Sequence, residues 1–350
     1  MNRSMKSQWA VLLLIAISLL GCYKDEAALK KGPTPYQLNI PAGLPAMVIP
    51  ADNPLTVEGV YLGRMLFYDP ILSGNNTQSC GSCHLQQHGF TDGLKYSVGI
   101  DGIEGKRNSM PLINLGWQSS FFWDGGAADL ESQALDPVVN PIEMHDTWEN
   151  ALSEIKAIPM YQHLFKKAFG IDEITVPFVV KAIAQFERTL ISADSKYDQY
   201  KRGEAFLTPL ELQGMDLFTD MSKGDCNHCH VLGSTFSDFA FRNTGLDSIP
   251  VDEGRYMITW NPSDKGKFKT PSLRNIALTA PYMHDGRFNT LLECVEHYNT
   301  GFHYATNLDP NLYTAQKGRM SQQEMEAIVA FMHTLTDENF MQNADFLPVR

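Results

Sequence analysis

Cys80-Gly81-Ser82-Cys83-His84 and Cys226-Asn227-His228-Cys229-His230 are two copies of the same pattern, C-x-x-C-H. The spacing carries chemistry. Two thiols two residues apart can add across the vinyl groups of one haem as thioethers, and the next imidazole reaches the iron as proximal ligand. With six Cys and ten His in 350 residues, chance supplies roughly 0.003 such matches. A four-cysteine zinc site would use the same thiols but leave both adjacent histidines unexplained. The reading is two covalently bound haem c groups. Cys80, Cys83 and His84 hold the first, and Cys226, Cys229 and His230 the second.

Outward from each motif the chain repeats itself. Gly63-Arg64-Met65-Leu66-Phe67-Tyr68-Asp69 precedes the first and Gly214-Met215-Asp216-Leu217-Phe218-Thr219-Asp220 the second, each read as a helix turning an apolar face to its haem. Thr208-Pro209-Leu210-Glu211 opens the second of these with a capping box and an N1 proline. Ser321 and Glu324 form another box, and Met325, Ile328, Val329, Met332 and Leu335 follow at helical spacing. A further helix is expected from about Pro177 to Ser192, with Val179, Ile183, Phe186 and Leu190 on one face. Alternating strand patterns are scarce. The expected fold is mainly α, with two tandem cytochrome c-like domains at 52–194 and 195–350, each carrying one c-type haem. The length suits two domains with separate cores.

Residues 1–21 read as a secretory leader: Arg3 and Lys6, an apolar stretch from Trp9 to Leu20, then Gly21. Leu19-Leu20-Gly21-Cys22 resembles a bacterial lipobox, with Cys22 the lipidated residue. An ordinary signal peptide or a single anchoring helix is the alternative. A proline-rich tether is expected over 22–51. The expected location is the periplasm, anchored by lipid to a membrane, with Tyr23 favouring the outer one. The net charge of −12 excludes a nucleic-acid partner, which needs a positive field. Cys294 is left as a small buried hydrophobe, so no disulfide is expected.

From about residue 52 to 340 the chain resembles the bacterial dihaem cytochrome c peroxidase family, which includes MauG. The likeness rests on Phe122-Trp123-Asp124-Gly125-Gly126-Ala127-Ala128-Asp129-Leu130, on Lys269-Thr270-Pro271-Ser272-Leu273-Arg274-Asn275, and on Thr279-Ala280-Pro281-Tyr282-Met283-His284-Asp285-Gly286. By residue type alone, Trp123 is core, Gln133 a surface helix position and Glu143 a solvated loop acid. The resemblance implies more. Trp123 becomes the conduit between haems, Gln133 the group that orients hydrogen peroxide, and Glu143 the acid–base catalyst beside Pro137. It also implies one calcium ion held by Asn108, Thr279 and Pro281, an oxygen-only set that suits the ion.

The resemblance also bears on the iron ligands. Family members that need reductive activation place a histidine over the first haem where this chain has Ile100. The distal side of the first haem is therefore expected to be open, with His88 and His145 as the alternatives. Over the second haem the matching position is Tyr298, as in MauG; His297 and Met283 are rivals. An anionic phenolate lowers a haem potential, whereas methionine raises it. The function implied is reduction of hydrogen peroxide to water at the N-terminal haem. Electrons would come through the C-terminal haem from a small redox protein, a cytochrome c or a cupredoxin. A MauG-like peroxide-dependent oxidase of a partner protein, or a non-catalytic electron-transfer or redox-sensing cytochrome, are the alternatives.

Overall fold

Each C-x-x-C-H motif lies beside the same crossing of two helices. The computed structural model describes residues 32–314 and 318–349. The leader, Cys22 and the first part of the expected tether lie outside the described residues. The chain is mainly helical, with longer helices α1 (Val57–Tyr68), α2 (Trp148–Ala157), α3 (Pro159–Phe169), α4 (Val176–Glu187), α5 (Pro209–Thr219), α6 (Leu291–Glu296) and α7 (Gln322–His333). The strand pair Phe241–Arg242 and Phe268–Lys269 is antiparallel, with Phe241 opposite Lys269.

α1 crosses α4, and α5 crosses α7, at a glycine in each case. A Cβ on Gly63 would lie 1.8 Å from the Ala182 carbonyl oxygen, and one on Gly214 would lie 1.9 Å from that of Ala327. The backbones touch, so no side chain fits there. One turn further along, Phe67 meets Phe186 edge-on at 5.2 Å, and Phe218 meets Phe331 at 5.3 Å. All four rings are fully buried. The repeat seen in sequence is thus a repeat of close helix packing.

Local signals set the helix starts. Thr56 caps α1 by accepting from the Gly59 amide. Thr208 with Glu211 and Ser321 with Glu324 form the expected capping boxes of α5 and α7. The end of α4 departs from expectation. The helix stops at Glu187 rather than continuing to Ser192. Asn114 takes over the backbone there: its Oδ1 accepts from the Ser192 amide and its Nδ2 donates to the Ser192 carbonyl, both at 2.8 Å. Its own amide donates to Leu190. Leu190 remains buried all the same, as do Val179, Ile183 and Phe186.

Asn275 repeats that arrangement. It binds Leu335 through its amide and the Asp337 amide through its side chain. Asn114 and Asn275 both sit at φ near +55°, a left-handed conformation that asparagine tolerates better than most residues.

Buried apolar residues form separate cores on the two sides of residue 194. Those of α1, α3 and α4 pack together, and those of α5, α6 and α7 form another core running from Tyr197 to Leu335. Phe340 and Phe346, beyond α7, return to the first half and pack with Phe67 and Phe90. The described part of the 22–51 stretch holds no helix, but it is not free of the body. Thr34 binds Glu58, and Trp117 donates to the Pro45 carbonyl. Among the described residues no helix is long and apolar enough to cross a membrane.

Candidate functional site

Both motif histidines are aimed the same way. His84 Nδ1 lies 2.7 Å from the Phe90 carbonyl, and His230 Nδ1 lies 3.2 Å from that of Phe236. A backbone acceptor at Nδ1 fixes the tautomer and leaves Nε2 as the ligating nitrogen. Phe90 and Phe236 hold positive φ, which turns each carbonyl back toward its histidine. Burial keeps both imidazoles neutral, His230 pushed down to about 4. It also raises the motif thiols, Cys80 and Cys226 to about 12 and Cys83 and Cys229 to about 11. Burial of this kind favours uncharged sulfur, and a thioether carries no charge.

A cavity of about 1320 Å³ opens over the first motif, larger than most small-molecule sites. Cys80, Cys83 and His84 form part of its wall, and Trp123, Gln133, Pro137 and Glu143 line it too. Four residues between positions 123 and 143 are thereby brought together with the 80–84 motif. A large, partly apolar space with a neutral imidazole and two protonated thiols on its wall fits a haem.

Each lining group has a local cause. Asp129 caps the short helix Leu130–Gln133 by accepting from Ser132, which sets Gln133 at its end. Glu143 follows the turn Asp136–Val139, and Asn140 donates to its Oε1 at 2.7 Å. Burial raises the Glu143 pKa, against the downward pull of that hydrogen bond. Trp123 is buried, and its indole N–H donates to the Asn108 carbonyl at 2.9 Å. Asp124 braces the turn beneath it, accepting from the Gly126 amide and pairing with Arg107.

Neither alternative histidine lines this cavity. His145 is exposed and its Nδ1 is 2.5 Å from Asp101. His88 sits in the turn Gln86–His88, beside Gly93. Ile100 donates its amide to the Glu143 carbonyl, so the loop that carries it is closed onto the loop of Glu143.

The second motif faces a matching wall. Phe121 bridges Ala127 around Trp123, and Tyr282 bridges Phe288 around His284, so Trp123-Asp124-Gly125 and His284-Asp285-Gly286 occupy equivalent turns. Helix caps follow at Asp129 and Thr290. In that register Gln133 corresponds to Cys294, and Pro137 to Tyr298. Tyr298 lies on the π-helical turn His297–Gly301, directly after α6, an irregularity common at functional positions. Burial raises its phenol pKa, with Cys294, Cys229 and Cys226 adding to the rise. His297 points elsewhere: its Nε2 is engaged with the Thr244 carbonyl at 3.0 Å, and burial pushes it down to about 4.

The halves meet around Asn108. Its amide donates to the His284 carbonyl at 2.7 Å and its Nδ2 to Leu94. Thr279 approaches Gly89 closely enough that a Cβ there would lie 2.9 Å from its methyl group. Pro281 follows on the same buried turn. Among the described residues no three His, Cys, Asp or Glu side chains converge as a metal site, so calcium here would depend on amide and carbonyl oxygens.

Several residues around the cavity were given no role by the sequence, although Lys269 and His284 lie in its family motifs. Arg107 pairs with Asp124 of the first half and Asp252 of the second. Lys269 is buried, donates to Gln118 and the Ser120 carbonyl, and is lowered by burial to about 7. His284 stacks on Phe268 with ring centres 3.7 Å apart. Glu187 is buried on the cavity wall at the end of α4. The placing of each depends on residues outside its own segment, and residue type alone does not reveal it.

Residues 57–206 match the family model described as di-haem cytochrome c peroxidase. The methylamine utilization protein MauG of Methylorubrum extorquens is 36% identical over 83% of this chain and 81% of its own length. A cytochrome c551 peroxidase of Nitrosomonas europaea is 38% identical over 85% of each chain. Among solved structures, a MauG-like protein associated with microbial copper homeostasis superposes with a TM-score of 0.84. It is 36% identical over 89% of this chain and 99% of that one. The chain belongs to the dihaem cytochrome c peroxidase family, which includes MauG, and is an enzyme of the peroxidase type whose cofactor is haem c.

Proposed function

We propose that this protein reduces hydrogen peroxide to water in the cavity beside His84, with two electrons from a small redox protein such as a cytochrome c or a cupredoxin. What carries the reading is one cavity whose wall holds His84, Gln133 and Glu143 and no histidine from the 88 or 145 positions. Bound haem supplies the redox chemistry that breaks the O–O bond. The chain's own residues handle peroxide and protons. Gln133 orients peroxide by hydrogen bonding. Glu143 takes the proton from one peroxide oxygen and returns it to the other, which leaves as water. Two electrons and two protons balance the conversion of one peroxide to two waters.

Trp123 carries electrons between the halves. Its contact with Asn108, which itself binds His284, supports that role. Asn108, with the backbone of Thr279 and Pro281, holds a calcium ion that stiffens the same junction. Cys22 anchors the enzyme by lipid to the periplasmic side of a membrane, the outer one favoured by Tyr23. Steady-state peroxide consumption with reduced cytochrome c or a small copper protein tests the reading; negligible turnover with every donor would sink it.

A second reading is a MauG-like oxidase of a partner protein, favoured by Tyr298 in the register of the second iron ligand. Phenolate ligation stabilises oxidised iron. With Tyr298→Phe, we expect the second haem's resting EPR signal to change while the first haem's does not, and its midpoint potential to rise. Unchanged spectra would remove Tyr298 as a ligand. A spectral change that persists after peroxide is added to the oxidised protein, without donor, would favour the oxidase reading over the peroxidase.

A further inference from the structure

The crossing of α1 and α4 places one group that the peroxidase reading does not use. Glu187 is the last residue of α4, 4% exposed, and lines the same cavity as Cys80, Leu72, Leu130, Ala134 and Ile183. Its Oε2 is buried and has no hydrogen-bond partner among the described residues. A buried carboxyl left unsatisfied in apolar surroundings is costly, and such groups call for a reason. The internal repeat supplies a comparison within the same molecule. Phe186 and Phe331 occupy equivalent places in the two crossings, so Glu187 corresponds to Met332, buried in the second half. The first half has an acid where the second has a thioether.

We propose that Glu187 takes up a proton when the haem held by Cys80, Cys83 and His84 gains an electron, and releases it when that electron leaves. The inference rests on haem attachment at the first motif. The step balances: one electron arrives from an external one-electron donor, one proton arrives from solvent, and the carboxylate becomes a carboxylic acid. No other bond changes. The coupling follows from charge. A carboxylate within electrostatic reach of Cys80 would favour the more positive, oxidised haem held there, and adding an electron in a poorly screened site would strengthen its hold on a proton.

The surrounding charges leave this carboxyl in control. On its own helix, Arg188 is committed to Glu131 by two 2.8 Å bonds. From α1, Tyr68 donates to the Phe346 carbonyl, and Arg64 donates to those of Leu347 and Ala344. From the motif, Cys80 lies within electrostatic reach of both Glu187 and Glu143. Burial outweighs the pull of Arg188 and, with Glu131 adding, pushes Glu187 up to about 8. Its proton is thus exchanged well above the ordinary carboxylate range.

The test is a spectroelectrochemical titration of the haem-loaded protein from about pH 6 to pH 9, each haem followed by its own absorbance. In the native protein the first haem's midpoint falls by up to about 59 mV for each tenfold drop in proton activity, the one-proton, one-electron slope. In Glu187→Gln that slope flattens, and the midpoint at the alkaline end rises because a negative charge is gone. Glu187→Asp, which keeps the carboxyl, keeps a slope. The second haem, in the half that has Met332 at the equivalent position, is unchanged in both. A first-haem slope that survives in Glu187→Gln, or is lost in Glu187→Asp, overturns the proposal. Absence of the first haem in native protein would instead overturn the attachment on which the proposal rests.

Discussion

Replacing Glu143 by glutamine lowers the rate of reaction with hydrogen peroxide by about 10²–10⁴-fold, the usual contribution of a positioned acid–base group. Glutamine keeps the size and the hydrogen-bonding reach of the side chain, so haem content and the His84 contact to Phe90 are expected to be unchanged. What it loses is the ability to accept and return a proton. Stopped-flow mixing of the oxidised protein with peroxide measures this directly, and a variant that reacts within tenfold of native would remove Glu143 from the mechanism. The pH dependence has a definite sign. Burial raises the Glu143 pKa, and the carboxylate is the form that accepts the first proton. Activity is therefore lost as pH falls through a value above the ordinary carboxylate range. Asn140→Ala removes the bond that holds the carboxylate form, so this limb moves to higher pH. In Glu143→Gln it disappears.

The second large effect is on stability. Alanine for glycine within a helix ordinarily gains about 0.5–1 kcal/mol. At Gly63 and Gly214 the sign reverses. A Cβ at either site would overlap a carbonyl oxygen of the crossing helix at under 2 Å. Relief requires the two helices to separate, which opens the Phe67–Phe186 or Phe218–Phe331 contact. Overpacking of this kind costs about 1–3 kcal/mol or more, and valine costs more than alanine. At about 2–4 °C per kcal/mol for a unit of this size, Gly214→Ala is expected to lower Tm by several degrees. Gly214→Val is expected to prevent recovery of haem-loaded protein. Gly233, which has open space around it and no positive φ, serves as control, with Gly233→Ala near neutral. A rise in Tm for Gly214→Ala would show that the crossing is looser than its geometry states.

How much of this was legible in the sequence follows the range over which each feature is determined. The haem-attachment pattern is written in five consecutive residues, because the chemistry it calls for takes both thiols and the imidazole from one turn of chain. The starts of α5 and α7 were equally legible, since a capping box satisfies amides within three residues of the cap. The repeated Gly-x-x-Leu-Phe segment marked α1 and α5 for the same reason. The placing of Gln133 and Glu143 on one wall came from resemblance. Taken alone, each looked like a polar surface residue.

What only the tertiary structure decided concerns partners far apart in sequence. α4 ends at Glu187 because Asn114 claims the backbone at Ser192, and no helix-stop signal in 177–192 announces that. His145 is excluded from the cavity by Asp101, and His297 is turned away by the Thr244 carbonyl. Arg107 joins the halves through Asp124 and Asp252. Glu187 acquires its character only when α1, α4 and the motif loop close around it, since a carboxyl is ordinary in water and perturbed once that water is removed. The sequence by itself determined where the two C-x-x-C-H motifs lie and which helices flank them, because those depend on neighbours along the chain. Which side chains line the cavity, and how tightly each holds its proton, depends on neighbours in space.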